Sequence, residues 1–160
     1  MASTTFSGPV TSTAGFISGS DSLVSITADT TITAAAHAGR TMNLNKAAGA
    51  TVTLPAASGT GNTYRFFVQT TVTSNSYKIQ VASGDDTMSG VAVVANDGGA
   101  TASIFETAAD SDTITLDGTT TGGILGGNIE IQDVASNKFR VLINQAATGS
   151  EATPFSAAVS

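Results

Sequence analysis

The chain has 160 residues, 41% hydrophobic and 11% charged, which is enough for one domain with a substantial core. A formal net charge of −6 and six scattered Lys and Arg residues disfavour nucleic acid and anionic membranes as partners. The absence of cysteine excludes disulfides and thiolate metal sites. The N-terminus lacks the basic segment and apolar core of a secretory signal, and no apolar run approaches the roughly 20 residues of a membrane span.

Residues 1–22 are the most polar and least patterned part of the chain. We predict an extended N-terminal arm over 1–22, followed by a single β domain over 23–160. The arm is either a frayed terminus or a segment whose isolated apolar side chains insert into a partner. The residues predicted to contact that partner are Phe6, Pro9, Val10 and Phe16.

Short alternating segments follow, and period-2 alternation places one set of side chains on each face of a strand. The first predicted strands are Leu23–Ala28, Thr30–Ala36, Thr41–Asn45 and Thr51–Leu54. Thr63–Thr73 is the most apolar strand, and Phe67 breaks its alternation, which favours a central position or contact with a partner. The turn Ser74-Asn75-Ser76 and the alternation of Tyr77–Val81 predict a hairpin with this strand.

The second half contains a clearer hairpin. After the predicted strands Met88–Ala95, Thr101–Glu106 and Asp112–Leu116, the chain reaches GGILGG. That segment neither opens a helix as GxGxxG nor precedes a Walker-type lysine, so we predict a bend that uses positive φ or close backbone approach. Ile129–Val134 and Lys138–Ile143 then alternate on either side of a three-residue link, in which Asn137 is predicted to have positive φ.

About ten short strands predict an all-β fold, a β-sandwich or jelly-roll-like domain with an extended N-terminal arm. Few charged side chains are available to keep the sheet edges from pairing with another chain, which favours closure of the sheet or oligomerisation. The predicted subunit interface combines outward polar residues of the hairpin with apolar residues in polar surroundings. Its members are Phe67, Glu130, Gln132, Lys138, Arg140, Leu142 and Phe155.

The residues that carry chemistry are sparse. His37 is the only histidine, and with no GxSxG segment it is interpreted as a turn or strand-end residue. Zinc would need carboxylates for nearly all its ligands. Calcium near Asp110, Asp112 and Asp117 stays open beside the ordinary interpretation of Asp in turns. We therefore predict no catalytic residue, no metal site and no cofactor.

Five segments carry a resemblance to a known family. They are FSGPVTSTAGF, VTLPAASGTGNTYRFFV, DDTMSGVAV, SDTITLDGTTTGGILGGNIEIQDVASNKFRV and GSEATPF, and they are distributed from residue 6 to residue 155. In this order they resemble small virion proteins of tailed bacteriophages, in particular capsid decoration (cement) proteins. The resemblance implies a homotrimer on the capsid surface of the virion, with the major capsid protein as partner. It brings no catalytic residues.

Two other functions remain open. A tail or fibre-associated module that binds a host surface has the same β architecture and the same lack of a catalytic motif. An enzyme, such as a glycan hydrolase that uses Glu130 and Asp133, is the third hypothesis. No Trp is present to stack against a sugar, which disfavours it.

Overall fold

The computed structural model describes Ser7 and residues 23–159. In this part the chain forms twelve strands and one single-turn helix, α1 (Ala34–His37). The predicted N-terminal arm lies outside the described residues, apart from Ser7. The strands are β1 (Leu23–Ile26), β2 (Thr30–Thr31), β3 (Thr41–Leu44), β4 (Ala50–Thr53), β5 (Thr63–Val68), β6 (Tyr77–Gln80), β7 (Thr87–Ala95), β8 (Ala102–Glu106), β9 (Thr113–Leu116), β10 (Asn128–Ala135), β11 (Lys138–Ala146) and β12 (Phe155–Ser156).

The strands form two mixed sheets, which confirms the predicted all-β fold. The seven-stranded sheet has the order β1-β3-β5-β10-β11-β7-β8, and the five-stranded sheet has the order β12-β9-β6-β4-β2. Alternate side chains of both sheets join one buried cluster, which includes Phe66 and Phe139 from the larger sheet and Tyr77 and Ile114 from the smaller. The two sheets therefore share one core, as in a β-sandwich.

The first six strands wind as a coil between the two sheets. β1, β3 and β5 pair in parallel in the larger sheet, while β2, β4 and β6 pair in parallel in the smaller one. Each connection therefore crosses from one sheet to the other. The predicted hairpin between Thr63–Thr73 and Tyr77–Val81 is wrong because β5 ends at Val68, and β6 belongs to the other sheet. Alternation marks which residues are buried but does not identify the strand that pairs with them.

The predicted hairpin of the second half is confirmed. β10 and β11 pair antiparallel, with Ile129 opposite Ile143, and Asn137 has a φ of 60° in the link. The bend before this hairpin is also confirmed, since Gly122 and Gly126 have φ values of 89° and 100°. A β-branched or bulky residue is strained at such angles, so these glycines let the chain turn towards β10.

The predicted strand Thr30–Ala36 is correct only at its start. After Thr31 the chain forms α1, because Ala34, Ala35 and Ala36 have high helix propensity. His37 ends this helix, and its Nδ1 lies 3.0 Å from the backbone nitrogen of Thr33 and accepts its hydrogen bond. The only histidine of the chain therefore shapes a local turn.

Tyr77 joins β6 of the smaller sheet to two loops that cross over from the larger sheet. Its hydroxyl accepts a hydrogen bond from the backbone N–H of Lys46 at 2.7 Å and donates one to the carbonyl of Thr70 at 3.0 Å. Its side chain is fully buried. Burial raises the pKa of the Tyr77 hydroxyl, and the hydrogen bond from Lys46 lowers it only partly.

We expect Tyr77→Phe to lower the free energy of unfolding by about 1 to 3 kcal/mol, because Lys46 N–H and the Thr70 carbonyl lose their partner in a buried site. Urea unfolding followed by circular dichroism measures this. Tyr77→Ala, which also creates a cavity, is expected to cost about 3 to 5 kcal/mol. Equal stability of Tyr77→Phe and the unsubstituted chain would contradict the assigned hydrogen bonds.

Candidate interaction surface

One face of the seven-stranded sheet points away from the core, and six of the seven predicted interface residues lie on it. They come from three neighbouring strands: Phe67 from β5, Glu130 and Gln132 from β10, and Lys138, Arg140 and Leu142 from β11. Each alternates with a buried residue of its strand. We call this surface the outer face.

Strand register explains why these residues meet. In one row across the sheet, Arg65 of β5 lies opposite Glu130 of β10, which lies opposite Leu142 of β11. In the next row, Gln132 lies opposite Arg140. Paired residues on one face of a sheet have Cβ atoms roughly 5 Å apart. Arg65 and Leu142 are distant in sequence but therefore belong to one continuous surface.

The centre of the outer face is a small charge network. Arg65 Nε lies 3.2 Å from Glu130 Oε2, and Arg140 Nη1 lies 3.5 Å from Glu130 Oε1. The arginine side chains are half-exposed, so each pair stabilises the fold by only about 0 to 1 kcal/mol. The network therefore orients the side chains more than it stabilises the sheet. Three of the six cationic residues of this acidic chain lie on this face, counting Lys138.

A shallow depression of about 290 Å³ lies beside this network. Its floor and walls combine polar and apolar side chains of four adjacent strands. They are Thr41, Arg65, Phe66, Asn128, Ile129, Glu130, Leu142 and Asn144. The outer face is therefore not uniformly flat, and a partner's side chain has a recess to enter.

Large apolar side chains are exposed at both margins of the outer face. Leu23, on the edge strand β1, is 59% exposed, and Ile104, on the opposite edge strand β8, is 67% exposed. Ile104 lies opposite Val93 of β7, and Val91 lies opposite Leu142, so the apolar area continues inward from the β8 edge. Contiguous exposed apolar surface of this kind marks interaction sites in soluble proteins.

The seventh predicted interface residue, Phe155, lies elsewhere. It belongs to β12 in the five-stranded sheet, packs in the hydrophobic core and is 7% exposed. An aromatic residue in a polar tail gives the same sequence signal whether it packs inside its own chain or against a partner. Phe155 is therefore not part of the outer face. Phe6, Pro9, Val10 and Phe16 lie outside the described residues.

Asp133 is a structural anchor that the sequence analysis did not identify. Its carboxylate, 3% exposed, accepts hydrogen bonds from the backbone N–H groups of Ser58, Gly59 and Thr60 and from the Thr60 hydroxyl, at 2.6 to 3.0 Å. Burial raises the pKa of the Asp133 carboxyl, but the hydrogen bonds from Thr60, Gly59 and Ser58 outweigh it and hold the pKa below its ordinary value. The sequence did contain a signal for the burial of Asp133, because it lies on the same side of the alternating strand as the buried Ile129 and Ile131.

The position of Asp133 also bears on glycan hydrolysis. Glu130 lies on the outer face, whereas Asp133 points to the opposite side of β10 and binds the 58–60 loop. A glycosidase needs two carboxyl groups that flank the same bond, about 5 to 9.5 Å apart. The suggested pair therefore does not face a common substrate position.

The Asp residues considered for calcium have separate partners. Asp112 is buried and accepts hydrogen bonds from the backbone N–H groups of Ala158 and Val159, at 2.8 and 3.1 Å. Asp117 accepts hydrogen bonds within its own turn, and Asp110 is exposed. Among residues 23–159 and Ser7, no group of three or more His, Asp or Glu side chains is placed to hold a metal ion.

In the part that the structure describes, no helix has the length and apolar character that crossing a membrane requires. Comparisons with protein-family models, with curated proteins and with solved structures give no match to this chain.

Proposed function

We propose that the chain is a non-enzymatic structural protein of a phage virion, which binds the outside of the capsid as a homotrimer and stabilises the head. The observation that supports this most is the outer face, where residues of three strands form one exposed surface whose central charged side chains, Arg65, Glu130 and Arg140, pair with one another. Thr, Asn and apolar side chains there are cheaper to desolvate than unpaired charges. The resemblance of its segments to decoration proteins supports the major capsid protein as the partner.

The mechanism is linkage between binding and assembly. A protein that binds only the assembled shell stabilises it by RT ln(1 + [L]/Kd), about 2.7 kcal/mol per site at 100-fold excess over Kd. A trimer that contacts three neighbouring capsid subunits raises the effective concentration of each remaining contact. In a threefold arrangement the contacts between subunits are heterologous, so the outer face of one subunit packs against a different surface of the next.

We expect Leu142→Glu to dissociate the trimer, because the added carboxylate lies opposite Glu130, whose charge repels it, and must lose its hydration when the face is covered. Sedimentation equilibrium measures the mass, and circular dichroism checks the fold. The matched control is Thr53→Glu, on the outward side of the five-stranded sheet, which should leave the mass unchanged. A monomeric unsubstituted chain contradicts the proposed trimer, and a trimer that survives Leu142→Glu excludes this face as its contact.

Capsid binding has its own test. The protein is mixed with undecorated heads, and cryo-electron microscopy is expected to show extra density at threefold positions of the shell. A chain without residues 1–20 should remain trimeric and lose attachment, since the arm carries Phe6, Pro9, Val10 and Phe16. Density confined to a tail or fibre would instead assign the host-binding module. Quantitative mass spectrometry of virions separates the two as well, because a decoration protein approaches the copy number of the capsid protein.

A further inference from the structure

A polar depression of about 350 Å³ lies at the end of the other sheet, away from the outer face. It forms where the turn before β4 meets the turn before β6. The residues around it are small or polar, and two are lysines. They are Asp29, Lys46, Ala48, Gly49, Ala50, Thr51, Asn75, Ser76 and Lys78.

The two lysines differ from the other cationic residues in what their charged groups contact. Arg65 and Arg140 pair with Glu130. The remaining two are Arg40, which donates to the Ala36 carbonyl, and Lys138, which donates to the Thr87 hydroxyl. The ammonium groups of Lys46 and Lys78 make no hydrogen bond or ion pair with any described residue. Both of these lysines, 32 positions apart in sequence, line the same depression.

The backbone around the depression is held firmly. Thr73 N–H donates to the Ala47 carbonyl at 2.7 Å, and the Asn75 side-chain amide donates to the Ala48 carbonyl at 3.1 Å. Gly49 packs so closely on the Ser76 backbone that a Cβ there would overlap it. The two turns are therefore held at a fixed distance from each other before any ligand binds, and this lowers the entropic cost of binding.

The charges in the depression favour one anionic group. Asp29 also lines the depression, and its Oδ1 accepts a hydrogen bond from the Thr51 backbone N–H at 3.0 Å. Two ammonium groups and one carboxylate leave a positive site in a chain whose formal net charge is −6. Lysine ammonium groups bind oxyanions as mobile point charges with three donors each.

We propose that this depression binds a small oxyanion, a carboxylate or phosphate group, between the ammonium groups of Lys46 and Lys78. Asn75, Ser76 and Thr51 also line the depression, and their side chains are neutral and polar. Because Asp29 occupies one side, the site takes a single anionic group and not a polyanion. The site lies on the opposite sheet from the outer face and does not depend on the proposed capsid function.

The test is a nuclear magnetic resonance titration of the full chain with sodium acetate and with inorganic phosphate, at constant ionic strength maintained with sodium chloride. We expect saturable shifts of the backbone amides of residues 46–51 and 75–78, with a dissociation constant of about 1 to 10 mM for at least one anion. Saturation by acetate assigns a carboxylate, and saturation by phosphate assigns a phosphate group.

The variants make the test specific. Lys46→Gln and Lys78→Gln should each weaken binding at least fivefold, which corresponds to about 1 kcal/mol or more, and the double variant should abolish saturation. Arg40→Gln is the control, because its guanidinium already donates to the Ala36 carbonyl and does not line the depression, and it should bind anions as the unsubstituted chain does. A linear response to both anions, or unchanged binding by a correctly folded double variant, overturns the proposal.

Discussion

Asp133→Ala is expected to lower the free energy of unfolding by about 3 to 4 kcal/mol. The substitution removes the acceptor of three backbone N–H groups and one hydroxyl, all in the Ser58–Thr60 loop. Hydrogen bonds to an ionised group are each worth about 1.5 to 3 kcal/mol, and water replaces only part of them. The loss is large against a total stability of about 5 to 15 kcal/mol.

The same carboxylate makes stability depend on pH. Its pKa is lower in the folded chain than in the unfolded chain, whose carboxyl has the ordinary value of about 3.9. The stabilisation is therefore fully present above that ordinary value and is lost as the pH falls through the folded value. Urea titrations at a series of pH values from neutral to acidic measure this slope, which should be shallower in Asp133→Ala.

Asp110→Ala is the matched control for both measurements. Asp110 is exposed, and its side chain makes no hydrogen bond with a described residue, so its removal should change stability by less than about 0.5 kcal/mol. If the two variants lose equal stability, or if the pH slope of Asp133→Ala is unchanged, Asp133 does not anchor the loop.

Gly118→Ala is expected to lower the free energy of unfolding by about 4 kcal/mol or to prevent folding. This effect is larger than the one expected for Gly126→Ala. Gly118 has a φ of 82°, and a Cβ there would overlap the carbonyl group of Val72. Val72 cannot retreat freely, because its side chain is buried and its N–H donates to the Gly123 carbonyl at 3.1 Å. The substitution therefore combines backbone strain with a steric clash against backbone.

Gly126→Ala separates these two causes. Gly126 also has positive φ, but nothing lies within 4 Å of the position that a Cβ would take. Its substitution should lower the free energy of unfolding by about 1 to 2 kcal/mol, because alanine is strained in a left-handed backbone conformation and meets no other atom there. Thermal unfolding of both variants under one set of conditions gives the difference. Equal losses would show that the contact with Val72 relaxes without cost.

The sequence predicted the outer face better than it predicted the sheet pairing. Alternation in Lys138–Ile143 identified Arg140 and Leu142 as outward, and the β10–β11 hairpin has the predicted link at Asn137. These features depend on residues close in sequence, for which strand periodicity and turn chemistry are sufficient. The same reasoning failed for β5 and β6, because the chain between Val68 and Tyr77 crosses to the other sheet and alternation does not identify the strand that pairs.

What the sequence by itself determined is the all-β character, the positions of most strands and the side chains that face away from the core. Tertiary structure decided that Arg65 meets Glu130, that Lys46 meets Lys78 in one depression and that Phe155 lies in the core. The physical reason is that burial alternates locally along a strand, whereas strand order and the coiling of β1–β6 arise from contacts between distant segments. Asp133 illustrates the difference. Alternation along β10 indicates that its side chain is buried, whereas its hydrogen-bond partners in the 58–60 loop are distant in sequence and are known only from the tertiary structure.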